Sequence, residues 1–115
     1  MAAMLYGIAN CDTVKKARRF LDENGIAYTF HDYKKAGVDE GLLRAFFEAF
    51  GWEAVVNTRG TTWRKLPDEA KARAAGEAGA LAVLMDNPSA IKRPIYHDGD
   101  RWLVGFDPTS WATLR

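Results

Sequence analysis

The opening third of the chain alternates strand, helix and strand, and that order limits the folds open to it. Ala3 to Ile8 is a short apolar run bounded by the loop and cap residues Asn10, Cys11 and Asp12, the pattern of a buried strand. Val14, Ala17, Phe20 and Leu21 then recur at helical spacing, with Lys15, Lys16, Arg18, Arg19, Asp22 and Glu23 on the remaining faces. Gly25 stands where a helix C-terminal cap belongs. Ala27-Tyr28-Thr29-Phe30-His31-Asp32-Tyr33 is rich in aromatic residues and roughly alternating, and reads as a second strand. A βαβ unit of this kind requires a parallel strand pair with a right-handed crossover.

The rest of the chain supplies helices and then a hairpin. Asp39 suits an N-cap, Leu42, Leu43, Phe46, Phe47 and Phe50 form a broad apolar face, and Gly51 ends that helix. The stretch from Trp52 to Leu66 reads as irregular and holds Asn57-Thr58-Arg59-Gly60 and Trp63-Arg64-Lys65. Pro67 fits the first turn of an alanine-rich helix ending near Gly76. Another helix is expected from Glu77 to Met85, stopped by Asn87-Pro88. Ile95-Tyr96-His97 and Arg101-Trp102-Leu103-Val104-Gly105 flank the hairpin signal Asp98-Gly99. Asp107-Pro108 then opens a short final helix ending near Leu114. The expected fold class is α/β (α+β): a single domain over residues 1–115 in which a four-stranded mixed sheet, β-α-β … β-β-α, is flanked by helices.

Composition narrows the function classes. With 115 residues, 48% hydrophobic and 27% charged, the chain is ordinary globular material. A chain of that length buries roughly two-thirds of its unfolded surface. Lys and Arg number 16 against 15 Asp and Glu, so the balance of +1 argues against a nucleic-acid partner. No apolar run approaches the roughly 18 residues that a membrane span needs, and no basic segment precedes the first apolar run. The expectation is a cytoplasmic protein with no membrane partner, starting at either Met1 or Met4.

Cys11 is the one cysteine, so no internal disulfide can form. It falls between the first strand and the first helix. Ligands of α/β sheets bind outside the carboxyl ends of strands. A helix N-terminus there offers unpaired N–H groups and the positive end of the macrodipole, which stabilise a thiolate and accept anions. Thr13 or Asp12 is available to cap the helix, and Lys15 and Lys16 add positive potential. The plain alternative is a buried, inert cysteine. His31 and His97 have no second ligand at a metal-ligand spacing, so no metal is expected. Trp52 and Trp63 stand either at a pocket mouth or in packing, the latter preferred.

Tyr6-Gly7-Ile8-Ala9-Asn10-Cys11-Asp12-Thr13, Asn57-Thr58-Arg59-Gly60, Ile91-Lys92-Arg93-Pro94-Ile95 and Val104-Gly105-Phe106 together resemble the arsenate reductase and Spx family, in particular its YffB-like branch. The resemblance runs through nearly the whole chain. It implies a thioredoxin-like fold with a helical insertion at about residues 38–88 and thiol chemistry at Cys11. It also implies a cis peptide at Pro94, facing the cysteine. By the same resemblance Arg93 and Arg59 bind an oxyanion or a carboxylate, a role suited to the planar guanidinium fork. The expected site is therefore Cys11 as nucleophile with Asn10, Asp12, Thr13, Lys16, Arg59, Arg93 and Pro94 around the substrate.

Two departures from the family pattern sharpen the expectation. Ile8 and Val14 stand three residues either side of Cys11, so there is no Cys-x-x-Cys and no internal disulfide switch. Phe106 stands where arsenate reductases of this kind carry a further arginine, which weakens the hold on a multiply charged oxyanion. A mixed disulfide on a lone cysteine needs an external thiol to resolve it. Glutathione, with two carboxylates for Arg59, Arg93 or Lys16, is the expected co-substrate, with no bound cofactor. Glutaredoxin is a candidate partner. The alternatives are arsenate reduction and an Spx-like module that binds RNA polymerase.

Overall fold

The computed structural model describes residues 3–114. Those residues form two compact units, one running to Ala36 and resuming at Arg93, the other Gly37–Lys92. The first unit holds β1 (Ala3–Gly7), α1 (Asp12–Glu23), β2 (Tyr28–Asp32) and the short α2 (Tyr33–Ala36). It continues with β3 (Ile95–His97), β4 (Trp102–Val104), α8 (Pro108–Trp111) and a closing 3-10 turn, Ala112–Leu114. The second holds α3 (Glu40–Phe50), α4 (Trp52–Val55), α5 (Thr61–Lys65), α6 (Asp68–Arg73), α7 (Glu77–Asp86) and a 3-10 turn at Pro88–Ala90.

In the first unit one four-stranded sheet runs in the order β2-β1-β3-β4. β1 and β2 are parallel, as the βαβ order requires, and β3 and β4 add antiparallel neighbours. The register sorts the side chains by face. Leu5 lies level with Phe30 on one side and Tyr96 on the other, and Tyr96 with Leu103. On that face Ala17 and Leu21 of α1 and Trp111 of α8 close over Ala3, Leu5 and Tyr96. Leu5 and Leu21 are completely buried, and each such side chain contributes roughly 1.5–3 kcal/mol. Tyr6, His31 and Ile95 lie on the opposite face.

Three expectations about elements differ from the structure. β2 stops at Asp32 rather than running through Tyr33, because the Asp32 carboxylate accepts the Lys34 amide at 2.8 Å and caps α2. Local side-chain-to-backbone bonding of this kind competes with a strand ladder.

The other two lie in the second unit. The stretch from Trp52 to Leu66 is not irregular, since α4 and α5 occupy most of it. Gly51, at φ +84°, ends α3 and at the same residue begins α4, a left-handed conformation that suits glycine. Pro67 stands one position before α6 rather than in its first turn. Asp39 does cap α3, accepting the Leu42 amide at 2.7 Å. Leu43, Phe46 and Phe47 of α3 and Ala80, Leu81, Val83 and Leu84 of α7 are buried. The Val56–Ile91 bridge and the Lys92 amide, donating to the Val55 carbonyl at 2.7 Å, tie the C-terminal end of this unit to the end of α4.

Candidate functional site

The site grows from the carboxyl end of β1. After Gly7 the chain passes through buried Ile8 and exposed Ala9 and Asn10 to the half-buried Cys11. Cys11 is itself the N-cap of α1, with an extended backbone (φ −138°, ψ 123°). Its carbonyl accepts the Lys15 amide at 2.9 Å, while its side chain makes no capping hydrogen bond. The expectation that Asp12 or Thr13 caps the helix is thereby corrected. They are the first two residues of α1, and both are exposed. At an N-cap the side chain lies beside first-turn amides that have no intrahelical acceptor. A sulfur anion formed there meets the positive end of a helix of 12 residues. Asp12 stands in the same first turn, and Lys15 and Lys16 are both exposed.

A row of backbone crosses the sheet directly below this loop. Gly7 pairs with Asp32 of β2. One step beyond the Tyr6–Ile95 pair, Gly7 also comes level with Pro94. The Arg93–Pro94 peptide is cis. On the far side the Gly105 amide donates to the Pro94 carbonyl at 2.8 Å, and the Gly105 carbonyl accepts the Trp111 indole N–H at 3.0 Å. Gly105 has φ +70°, which turns the chain out of β4. The absence of a side chain at Gly7 matters for packing: a Cβ there would stand 2.8 Å from Val14 Cγ2 and 3.7 Å from Arg93 Cβ. The tight passage at Gly7 thus places both the first turn of α1 and the stem of half-buried Arg93 against the end of β1.

Sequence reasoning missed a set of rings beside Arg93. Tyr6 and His31 lie 5.3 Å apart between ring centres, and His31 and Tyr33 6.5 Å apart. Tyr33 is 1% exposed. Burial pushes its phenol well above the usual range, the Arg93 charge pulls against that shift, and Tyr6 adds to it. Burial raises Tyr6 as well. The neutral phenol of Tyr33 therefore lies within electrostatic reach of the Arg93 guanidinium. The signal was present in the sequence as Asp32-Tyr33, an Asp followed by a helical turn, but the alternating aromatics before it read as continuing strand.

Lys16 is exposed on α1. Arg59 belongs to the second unit, exposed in the turn closed by Gly60, where its carbonyl accepts Arg64 Nη2 at 2.7 Å. Phe106 packs against Trp111 and Phe20, with ring centres 5.2 and 5.8 Å apart, and joins the aromatic core. Trp52 and Trp63 both lie in the second unit, each half-buried. Among the described residues no three His, Cys, Asp or Glu side chains gather as a metal site. No helix among them is long and apolar enough to cross a membrane.

Comparison with known proteins adds the family. The YffB (PA3664) protein superposes with a TM-score of 0.92 at 48% identity, covering 97% of each chain. A protein of Haemophilus influenzae described as uncharacterized is 44% identical over 103 residues, 90% of each chain. The global transcriptional regulator Spx of Streptococcus mutans is 26% identical over 85% of this chain and 72% of its own. The fold is thioredoxin-like, as the sequence resemblance implied. The model of the ArsC family matches residues 6–114, and the chain belongs to that family.

Proposed function

We propose that the protein is a thiol–disulfide oxidoreductase that uses Cys11 as its nucleophile and glutathione as its external thiol. The observation that carries this reading is the place of Cys11: the N-cap of α1, half-buried, with no hydrogen bond from its side chain to the helix it begins. A capping Ser, Thr or Asp would spend its side chain on the helix; the thiol remains available. In the first step the Cys11 sulfur anion attacks one sulfur of a substrate disulfide. The Sγ–S bond forms, the disulfide breaks, and the second sulfur leaves as a thiolate that takes up a proton. A glutathione thiolate then attacks the mixed disulfide, restores the Cys11 thiolate and departs within a new disulfide. A second glutathione completes the transfer of two electrons. Arg93, held against Gly7, and Lys16 on α1 pair with the glutathione carboxylates. Pro94, opposite Gly7, forms the wall of the site, and Asn10, Asp12 and Thr13 form its rim.

The test is a mixed-disulfide assay with intact-mass detection. Incubation with oxidised glutathione adds one glutathione to the wild type and none to Cys11→Ser. Reduced glutathione then removes it with turnover of a small disulfide. An unmodified wild type with no turnover overturns the reading.

The Spx similarity over most of the chain favours a second reading, a non-enzymatic module that binds RNA polymerase. Retention of this protein by purified polymerase core, together with no thiol turnover, selects that reading. Arsenate-dependent oxidation of glutathione selects arsenate reduction at the same cysteine.

A further inference from the structure

Between α1 and the segment that follows β4 lies an open groove of about 360 Å³, lined by Lys16, Arg19, Phe20, Glu23, Phe106 and Pro108. Its volume falls at the lower end of the range of small-molecule sites. The two rings of Phe20 and Phe106, 5.8 Å apart, provide an apolar floor. Lys16, Arg19 and Glu23 are exposed and stand on one face of α1. None of the three forms an ion pair among the described residues.

Resting on the thiol–disulfide reading, we propose that this groove is the specificity subsite of the reaction and takes an apolar, carboxylate-bearing half of the substrate disulfide. Three observations join here. The floor is aromatic, so the ligand body is apolar. Two cations face one carboxylate, so the rim is positive and selects a single negative charge, while Glu23 opposes a second. Phe106 directly follows Gly105, whose amide bonds the Pro94 carbonyl, so the groove floor is attached to the same backbone row as the candidate site. An aryl or short aliphatic thiol with one carboxylate meets both chemical requirements. A small neutral thiol meets neither.

The test has a binding arm and a turnover arm, both on the full chain. In the binding arm, 2-naphthoate and the uncharged 2-naphthamide are titrated by calorimetry, and their sites are mapped by amide shifts. The naphthoate binds with shifts at Arg19, Phe20 and Phe106, about tenfold more tightly than the amide, the factor expected when a partly exposed charge pair adds to a charge-assisted hydrogen bond. Arg19→Gln removes that preference without weakening the amide. Because Arg19 is exposed, this variant keeps the fold. In the turnover arm, the mixed disulfide of glutathione with 4-(mercaptomethyl)benzoate is compared with that of 2-mercaptoethanol, two alkyl thiols of similar leaving ability. The aryl carboxylate has the higher kcat/KM by about tenfold, and Phe106→Leu and Arg19→Gln both reduce the ratio. No binding, or shifts elsewhere, overturns the groove. Binding with equal turnover of the two disulfides overturns its role as a substrate subsite. Binding in the groove with no turnover of either disulfide overturns the thiol–disulfide reading and the substrate role, and leaves a ligand site established by the binding arm.

Discussion

Gly7 and Val14 touch where β1 passes beneath the first turn of α1: a Cβ on Gly7 would stand 2.8 Å from Val14 Cγ2. Such a contact would be tighter than a well-packed core accepts, and neither element can move alone, because β1 is paired on both sides and Val14 is fully buried. Gly7→Ala therefore costs about 1–3 kcal/mol as an overpacking substitution. Val14→Ala removes the obstructing methyl groups and itself costs roughly 1–3 kcal/mol. The two changes are coupled, so the double variant is more stable than the sum of the single effects predicts. Urea unfolding of the four proteins measures this. An additive cycle would show that the passage at Gly7 is not a constraint.

Cys11 occupies a position where other residues would hold the helix better. Its side chain makes no hydrogen bond to the first turn of α1, whereas Ser or Asp at an N-cap is worth about 1 kcal/mol over residues that cannot cap. Cys11→Ser therefore raises stability by roughly 0.5–1 kcal/mol while it abolishes mixed-disulfide formation. Thermal unfolding and intact mass together decide this. A variant that is both less stable and unreactive would mean that the thiol serves packing.

Gly79 is the counterpart of Gly7 in the second unit. A Cβ built on it overlaps the carbonyl oxygen of Arg73 at the end of α6, a backbone atom that cannot swing aside. Within a helix Gly→Ala ordinarily gains up to about 1 kcal/mol, so the sign here discriminates. Gly79→Ala lowers the urea midpoint, while Ala82→Gly, at an exposed position of the same helix, lowers it only by the propensity cost.

These local passages explain how much of the molecule was legible in the sequence. The βαβ unit, the hairpin at Asp98-Gly99 and the caps at Asp39 and Asp107 rest on local rules, and the structure follows them. Where local signals competed, the reading failed. The aromatic alternation through Tyr33 outweighed the cap at Asp32, and α4 and α5 are too short to show a helical period. Cys11 was found from the strand–helix order, but its being the cap residue depends on one backbone conformation that Asp12 and Thr13 could equally have claimed. The Tyr33–Arg93 relationship joins residues sixty positions apart, and no local rule reaches that far.

The buried phenols set the alkaline limit of the fold. Tyr96 is pushed up to about 12, first by burial, then by the hydrogen bond it donates to Asp98 at 3.1 Å and by the charge of that carboxylate, with Arg101 opposing. Tyr33 is raised further, mainly by burial. A group whose folded value lies above its unfolded value near 10 contributes stability that is fully present below pH 10 and is lost as pH rises through the folded value. Between about pH 10 and 12 the unfolded chain has released these protons while the native state retains them, so each tyrosine lowers stability by up to about 1.4 kcal/mol per pH unit. Phenolate absorbance and far-UV circular dichroism recorded in parallel test this. The protons of Tyr33 and Tyr96 leave with the loss of the fold, not before it. Tyr96→Phe makes the decline in urea-derived stability over the same range shallower by up to one proton, and it also weakens the hairpin, since Asp98 loses a donor. A native chain whose four tyrosines all titrate near 10 before unfolding would refute the burial of both.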